Sequence, residues 1–526
     1  MRDDLLSISE ASDWASSYLN KKVTASNISY LVQYALIRKI NCDGDAKVSK
    51  SELKTYYDDS KYFKDIDWQK LKANRFLSFE RLRESDTTKH VHRLHPYKGK
   101  FIPQLAEYFL DSHTDEFKKE VYFKRGDIIL DPFCGSGTTL VQANELGIRA
   151  IGVDVSVFNS FISNCKISKI DLLELENEFR KITNDLNLFI SKSNIKTFEY
   201  ALTKELNTFN NRFFPSYEYK TSIRNKSINE KEYGAAKAKE FLPIYYRLID
   251  DYNVKLKNND SSTFTTKWFL PNVIDELRSV LENINKLGDS GVKDILRLIL
   301  SRTMRSCRAT THSDLATLIE PINTAYYCSK HFKICKPLFS IFRWLRYYGK
   351  DAVNRIGIFD KLRTDAYQIC LTGDSRNIDI VDELAKRDLQ ISGLIKDKKI
   401  NGIFSSPPYV GLIDYHEQHA YAYDLFGWIR NDESEIGALR KGQGTEAKKL
   451  YVDGISQALL NCKKYLAEDY NVFLVANDKY NLYPEIAEKA GMKIVDRYKR
   501  PVLNRTEKNR DAYSEEIFHM KDIVAC

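Results

Sequence analysis

Residues 126–156 read "GDIILDPFCGSGTTLVQANELGIRAIGVDVS". An apolar run opens the stretch, a glycine-containing turn follows, and a helical pattern comes next. A second apolar run then ends on an acid, Asp154. Strand, helix and strand in that order make a βαβ unit, the opening of a doubly wound α/β sheet. Gly135 and Gly137 occupy the turn. Glycine lets the backbone bend sharply and approach a ligand closely, and the helix start offers unpaired N–H groups. No Gly-Lys-Ser/Thr follows, so a P-loop is excluded. A carboxylate at Asp154 can accept both hydroxyls of a ribose. Against the simpler reading of an ordinary tight turn, this points to a nucleoside that need not carry a diphosphate.

Outward from this unit the chain changes character several times. Upstream, "HRLHPYKGKFIPQLAEYFL" (92–110) runs a polar loop into an amphipathic helix. Downstream, residues 165–365 are mostly helical and polar, and include a stretch of aromatics interleaved with Lys and Arg at 204–234. Strands resume at "AYQICLTGDSR" (366–376), "INGIFSSPPY" (400–409) and "YNVFLVAND" (470–478). The last segment, 492–522, predicts two strands joined by a polar hairpin loop. The expected domains are therefore 1–75, 90–165, 166–365 and 366–526. The first, with a Ser7 cap, two helices and a strand-turn wing, fits either a winged helix-turn-helix or a plain helical interaction module.

Ser406-Pro407-Pro408-Tyr409 ends a strand on a rigid corner. The prolines fix φ and supply no N–H, so nearby carbonyls stay available as acceptors. A serine oxygen and a proline carbonyl side by side can take both hydrogens of one –NH2 group. The tyrosine offers a face for a flat ring. Such a corner suits a planar base with an exocyclic amine, against the simpler reading of a structural strand end. Two acceptors pulling on those hydrogens return the nitrogen lone pair, so no covalent protein nucleophile is needed.

At these two motifs the sequence resembles the amino-methylating DNA methyltransferases that use S-adenosyl-L-methionine. "DPFCGSGTTL" is similar to their cofactor motif and "SSPPY" to their catalytic motif. Serine at the head of the second resembles the cytosine-N4 branch rather than the adenine-N6 branch. The resemblance spans residues 90–160 and 365–525. It implies a mostly parallel, seven-stranded Rossmann-like sheet with a large helical insertion and a small winged-helix-like N-terminal unit. It assigns Asp131, Phe133, Gly135, Gly137 and Thr138 to the cofactor loop, Asp154 to the ribose and Asp374 to the adenine. Lys100 and Phe101 would flank the methionine portion. Ser406, Pro407, Pro408 and Tyr409 would hold the target base. About 220 positions separate Asp154 from Asp374, so target recognition is expected in that insertion.

A base inside a duplex must be everted to react. "LSRTMRSCRATTHSDLATL" (300–318) places Arg302, Arg305 and Arg308 three apart, followed by Thr310, Thr311, His312 and Ser313. The arginines are expected to clamp phosphates, with Thr311 and His312 among the groups reaching bases, against the simpler reading of a solvated basic helix. A second basic loop, "RPVLNRTEKNRDAY" (500–513), is expected near the everted base.

Composition agrees. Lys plus Arg total 81 against 72 acids, a net charge of +9 that suits a polyanion without demanding one. Nine scattered cysteines predict reduced thiols and a cytoplasmic location. Cys307, His312, Cys328, His331 and Cys335 follow no strong zinc spacing, so core thiols and a surface histidine, not a metal, are expected. The N-terminus lacks signal-peptide features, and no run is long enough to cross a bilayer. The expected activity is cytosine-N4 methylation of double-stranded DNA, as the modification half of a restriction-modification pair with a cognate endonuclease. The competing readings are adenine-N6 methylation, guanine-N2 methylation of tRNA, and an inactive DNA-binding regulator.

Overall fold

Twelve strands form three sheets among the described residues. The structure, a computed structural model, describes residues 4–19, 23–33, 37–38, 40–42, 45–59, 86–288, 290–312, 318–502 and 513–523. The N-terminal unit contains β1 (Leu5–Ser7), β2 (Ile40–Cys42) and β3 (Asp45–Ser49) in the order β1-β3-β2, all antiparallel. Helices Ile8–Tyr18 and Ala25–Gln33 precede the β2–β3 hairpin, and Lys50–Asp59 follows it. Ser7 caps the first helix in a reciprocal box with Glu10. Strand β1 carried no visible signal in the sequence, because three residues are too few to show alternation. The expected boundary at 75 lies outside the described residues.

The main sheet holds β4 (Ile128–Asp131), β5 (Arg149–Asp154), β8 (Gln368–Thr372), β9 (Ile400–Ser405), β10 (Leu466–Ala476), β11 (Met492–Val502) and β12 (Tyr513–Asp522). Their order is β11-β12-β10-β9-β4-β5-β8. The five strands β10, β9, β4, β5 and β8 are parallel neighbours, and β12 runs antiparallel between β10 and β11. The seven-stranded, mostly parallel sheet expected from the sequence is thus present. From β4 the chain winds toward β5 and β8 on one side, and toward β9 and β10 on the other. Ligands in such sheets bind beyond the carboxyl ends of the strands at this reversal.

Both sheet faces are covered, which is why the central strands read as unbroken apolar runs. Alternate residues feed two separate cores. Ile128, Leu130, Ile403 and Leu474 pack on one face, and Ile129, Ala150, Phe404 and Phe473 on the other. The second core runs on without a break into the insertion, through Leu202, Tyr245, Leu277 and Ile356. The insertion is therefore welded to the sheet rather than hung from it. It also contains a two-stranded hairpin, β6 (Tyr326–Cys328) and β7 (Lys333–Cys335).

Candidate active site

At the tip of β4 the chain turns sharply into helix Thr138–Glu145. Gly135 and Gly137 adopt left-handed backbone angles, φ 53° and 73°. A Cβ on Gly135 would meet the Tyr97 hydroxyl at 2.9 Å, and one on Gly137 would meet Ser163 at 3.0 Å. Conformation and space both require glycine here.

Asp154 ends β5 and fastens this turn. Its carboxylate accepts from Gly135 N (2.8 Å), Ser156 N (2.9 Å) and Asn159 Nδ2 (3.1 Å). Burial nonetheless pushes its carboxyl up to about 6. The tip of β9 is tied to β4 in the same way. Ser405 Oγ donates to Asp131 Oδ1 at 2.6 Å, and Thr139 Oγ1 donates to Phe404 O at 3.3 Å. Burial raises the Asp131 carboxyl, again to about 6.

Between the two tips lies an open cleft. Of the residues expected there, Lys100, Phe101, Phe133, Gly135, Thr138, Asp154, Asp374, Ser406 and Pro408 line it. Asp131 sits beneath, buried, as the β4–β9 tie. Three neighbours went unread in the sequence: Tyr97, Tyr415 and Glu435. Tyr97 stacks on Tyr415 with ring centroids 5.7 Å apart. Glu435 is buried and accepts from His416 N at 2.7 Å, with the His416 ring against the same oxygen. Tyr97 lies in the lead-in segment 92–110, between Pro96 and Lys98. Glu435 lies in an irregular loop with no periodic pattern to flag it.

Several expectations need correction. Lys100 lines the cleft with its ammonium held by the backbone, donating to His92 O at 2.6 Å. Burial pulls it down to about 8. Pro407 is buried, between Ser406 and Pro408, which line the cleft. Tyr409 faces an adjoining cleft, with Leu412, Asn477, Asp478 and Tyr480. Asp374 lines the cofactor cleft but is gripped by Arg376, whose Nη2 reaches Oδ2 at 2.5 Å.

The arginine row does not form one face. Helix Gly291–Ser306 ends before Arg308. Arg302 is 6% exposed; it pairs with Asp351 at 2.7 Å and lies over the Tyr348 ring. A guanidinium so buried and paired is not a phosphate clamp; it braces the insertion. Arg305 and Arg308 line another cleft with Tyr97, Lys98, Leu412 and His419. His312 packs against Cys328 and His331, and Thr311 precedes it at the half-buried end of that segment. The strands β11 and β12 flank residues 503–512, so most of the second basic loop lies outside the described residues.

The cleft suits a nucleoside with an amino-acid tail. It joins a glycine turn to a buried carboxylate and aromatic walls. Ser136 Oγ, Thr138 Oγ1 and Asn159 Oδ1 are buried in its lining without a hydrogen-bond partner. Such atoms are costly unless a ligand satisfies them.

Fold and cleft together define a methyltransferase, and the comparisons say which kind. A family profile for N6 and N4 methyltransferases, described as DNA methylase, matches residues 15–164. The type II methyltransferase M.MjaII of Methanocaldococcus jannaschii is 44% identical over 98% of this chain and 97% of its own. This chain belongs to the N4/N6 family of type II DNA methyltransferases, and S-adenosyl-L-methionine is its methyl donor. The type II methyltransferase M.BsoBI of Geobacillus stearothermophilus is 24% identical over 68% of this chain and 57% of its own. A tRNA (guanine(10)-N2)-dimethyltransferase of Methanothermobacter thermautotrophicus is 28% identical over 29% of this chain and 44% of its own. No helix among the described residues is long and apolar enough to cross a membrane.

Proposed function

We propose that the protein methylates the exocyclic N4 amine of an everted cytosine within a specific double-stranded DNA sequence, as the modification enzyme of a restriction-modification system. One observation carries this reading: Ser406, at the end of β9, opens into the same cleft as the glycine turn at the end of β4. Bound S-adenosyl-L-methionine supplies an electrophilic methyl on a sulfonium. Gly135, Gly137 and Thr138 cradle the cofactor, with Asp154 at its ribose, Asp374 at its adenine, and Phe101 with the Lys100 stem beside its methionine portion.

Ser406 Oγ and the Pro407 carbonyl accept the two amine hydrogens. That interaction draws the nitrogen toward tetrahedral geometry and frees its lone pair for attack. Methyl transfer would form an N–C bond as the cofactor's C–S bond breaks, with its electrons remaining on sulfur. One amine proton then leaves to water. Tyr409 and Tyr480, in the adjoining cleft, provide aromatic surfaces for the everted ring. Arg305 supplies positive charge beside both clefts.

Incubation with tritiated cofactor and either duplex DNA or tRNA tests the substrate class. Label is expected in DNA alone, and Ser406→Ala should bind cofactor normally while losing most transfer. Label confined to tRNA, or in neither, would overturn the reading.

A further inference from the structure

We propose that His312, Cys328, His331 and Cys335 form a tetrahedral zinc site that pins the β6–β7 hairpin to the segment following helix Gly291–Ser306. The hairpin supplies three ligands. Its turn is closed by His331 N and Phe332 N, both donating to Cys328 O at 3.1 and 2.7 Å. Phe332 takes the left-handed conformation, φ 54°. This tight reversal swings the His331 ring back over the strand ends. Its Nδ1 lies 3.6 Å from Cys328 Sγ and 3.5 Å from Cys335 Sγ. The fourth ligand comes from elsewhere in the chain: His312 Nδ1 lies 3.7 Å from Cys328 Sγ. All four ligand atoms fall within 4.8 Å of one another.

Those separations match a shared metal. Zinc bonds of about 2.3 Å to sulfur and about 2.0 Å to nitrogen, at tetrahedral angles, put S and N about 3.6 Å apart. Pairwise thiol–imidazole hydrogen bonds would not require both thiols and both rings to converge on one point. Two thiolates with two imidazoles are also the donor set that favours zinc among the common divalent ions. Tyr326 Oη now sits 2.8 Å from His312 Nδ1 and accepts from His312 N at 3.2 Å. On metal binding the hydroxyl would keep the backbone contact and release the ring nitrogen.

The site has structural work to do. Strands β6 and β7 are three residues each, too short to hold a hairpin alone. The segment it would pin leads from Arg308, in the cleft beside the active site, to His312. The spacing hid the site because one ligand lies sixteen residues before the hairpin cysteine and is brought in only by the fold.

Metal analysis of the full chain, expressed with zinc and dialysed, tests this directly. About one zinc per chain is expected in the wild type, and about none in Cys328→Ser/Cys335→Ser or in His312→Ala. Metal-stripped wild type titrated with Co²⁺ should develop the intense visible bands of a tetrahedral thiolate site. The wild-type measurement stands even if a variant fails to fold. Less than about a tenth of an equivalent of zinc in the wild type would overturn the site. So would an unreduced mass showing Cys328 and Cys335 joined as a disulfide, or zinc retained in the double variant.

Discussion

Ser405 Oγ and Asp131 Oδ1 meet at 2.6 Å, and both are buried. This bond adds a side-chain tie to the backbone pairing between the strand that carries the catalytic corner and the strand that carries the cofactor turn. Adjacent serines thus hold different tasks: Ser405 points into the sheet, and Ser406 opens to the cleft.

Ser405→Ala should lower stability by about 1–3 kcal/mol, because it leaves a buried carboxylate short of a donor. Ser406→Ala should leave stability within about 0.5 kcal/mol of wild type while methyl transfer falls. Chemical denaturation set beside single-turnover transfer for the two variants checks the split. The reverse pattern would exchange their roles.

Gly137→Ala should cost about 1–2 kcal/mol, since the residue sits at φ 73° and the new methyl meets Ser163 at 3.0 Å. Cofactor affinity should fall with it, because the turn must shift to relieve the contact. Calorimetric titration with cofactor reads this; unchanged affinity would show that the turn does not shape the binding surface.

Asp154 gives a pH signature. Its carboxyl titrates near 6 in the folded chain against an ordinary value of 3.8. The folded form therefore prefers the proton. The stabilisation this group contributes is complete below the ordinary value and is lost as pH rises through about 6. The unfolding midpoint of wild type minus that of Asp154→Asn should decline from about pH 4.5 to about pH 6.5. A flat difference would contradict the raised carboxyl.

Arg302 and Arg305 should part company. Arg302→Ala should destabilise by about 3 kcal/mol, because Asp351 is left paired only to Arg355 in a half-buried setting. Arg305→Ala should leave stability intact, weaken DNA binding, and lower the slope of log affinity against log salt by about 1. Equal salt slopes for Arg305→Ala and wild type would remove Arg305 from the DNA surface.

The central sheet was legible because its strands carry local signals: an apolar run with glycines at 128–137, an acid at 154, a proline corner at 406–409. Period and turn chemistry are written in neighbouring residues. The arginine row was misread because burial is not local. Three arginines at helical spacing look alike until Asp351 and the Tyr348 ring, more than forty residues away, claim the first of them. Glu435 and Tyr415 entered the cleft from a loop and a short helix whose positions only the tertiary fold decides. The spacing of the four Cys and His side chains argues against a metal for the same reason: only the fold brings His312 to the hairpin.

The most direct measurement is the identity of the methylated nucleoside. Duplex DNA modified by the protein is digested to nucleosides and resolved by mass spectrometry. A serine at the head of the corner predicts N4-methylcytosine, lost in Ser406→Ala. N6-methyladenine in its place would contradict the account of how this corner chooses its base.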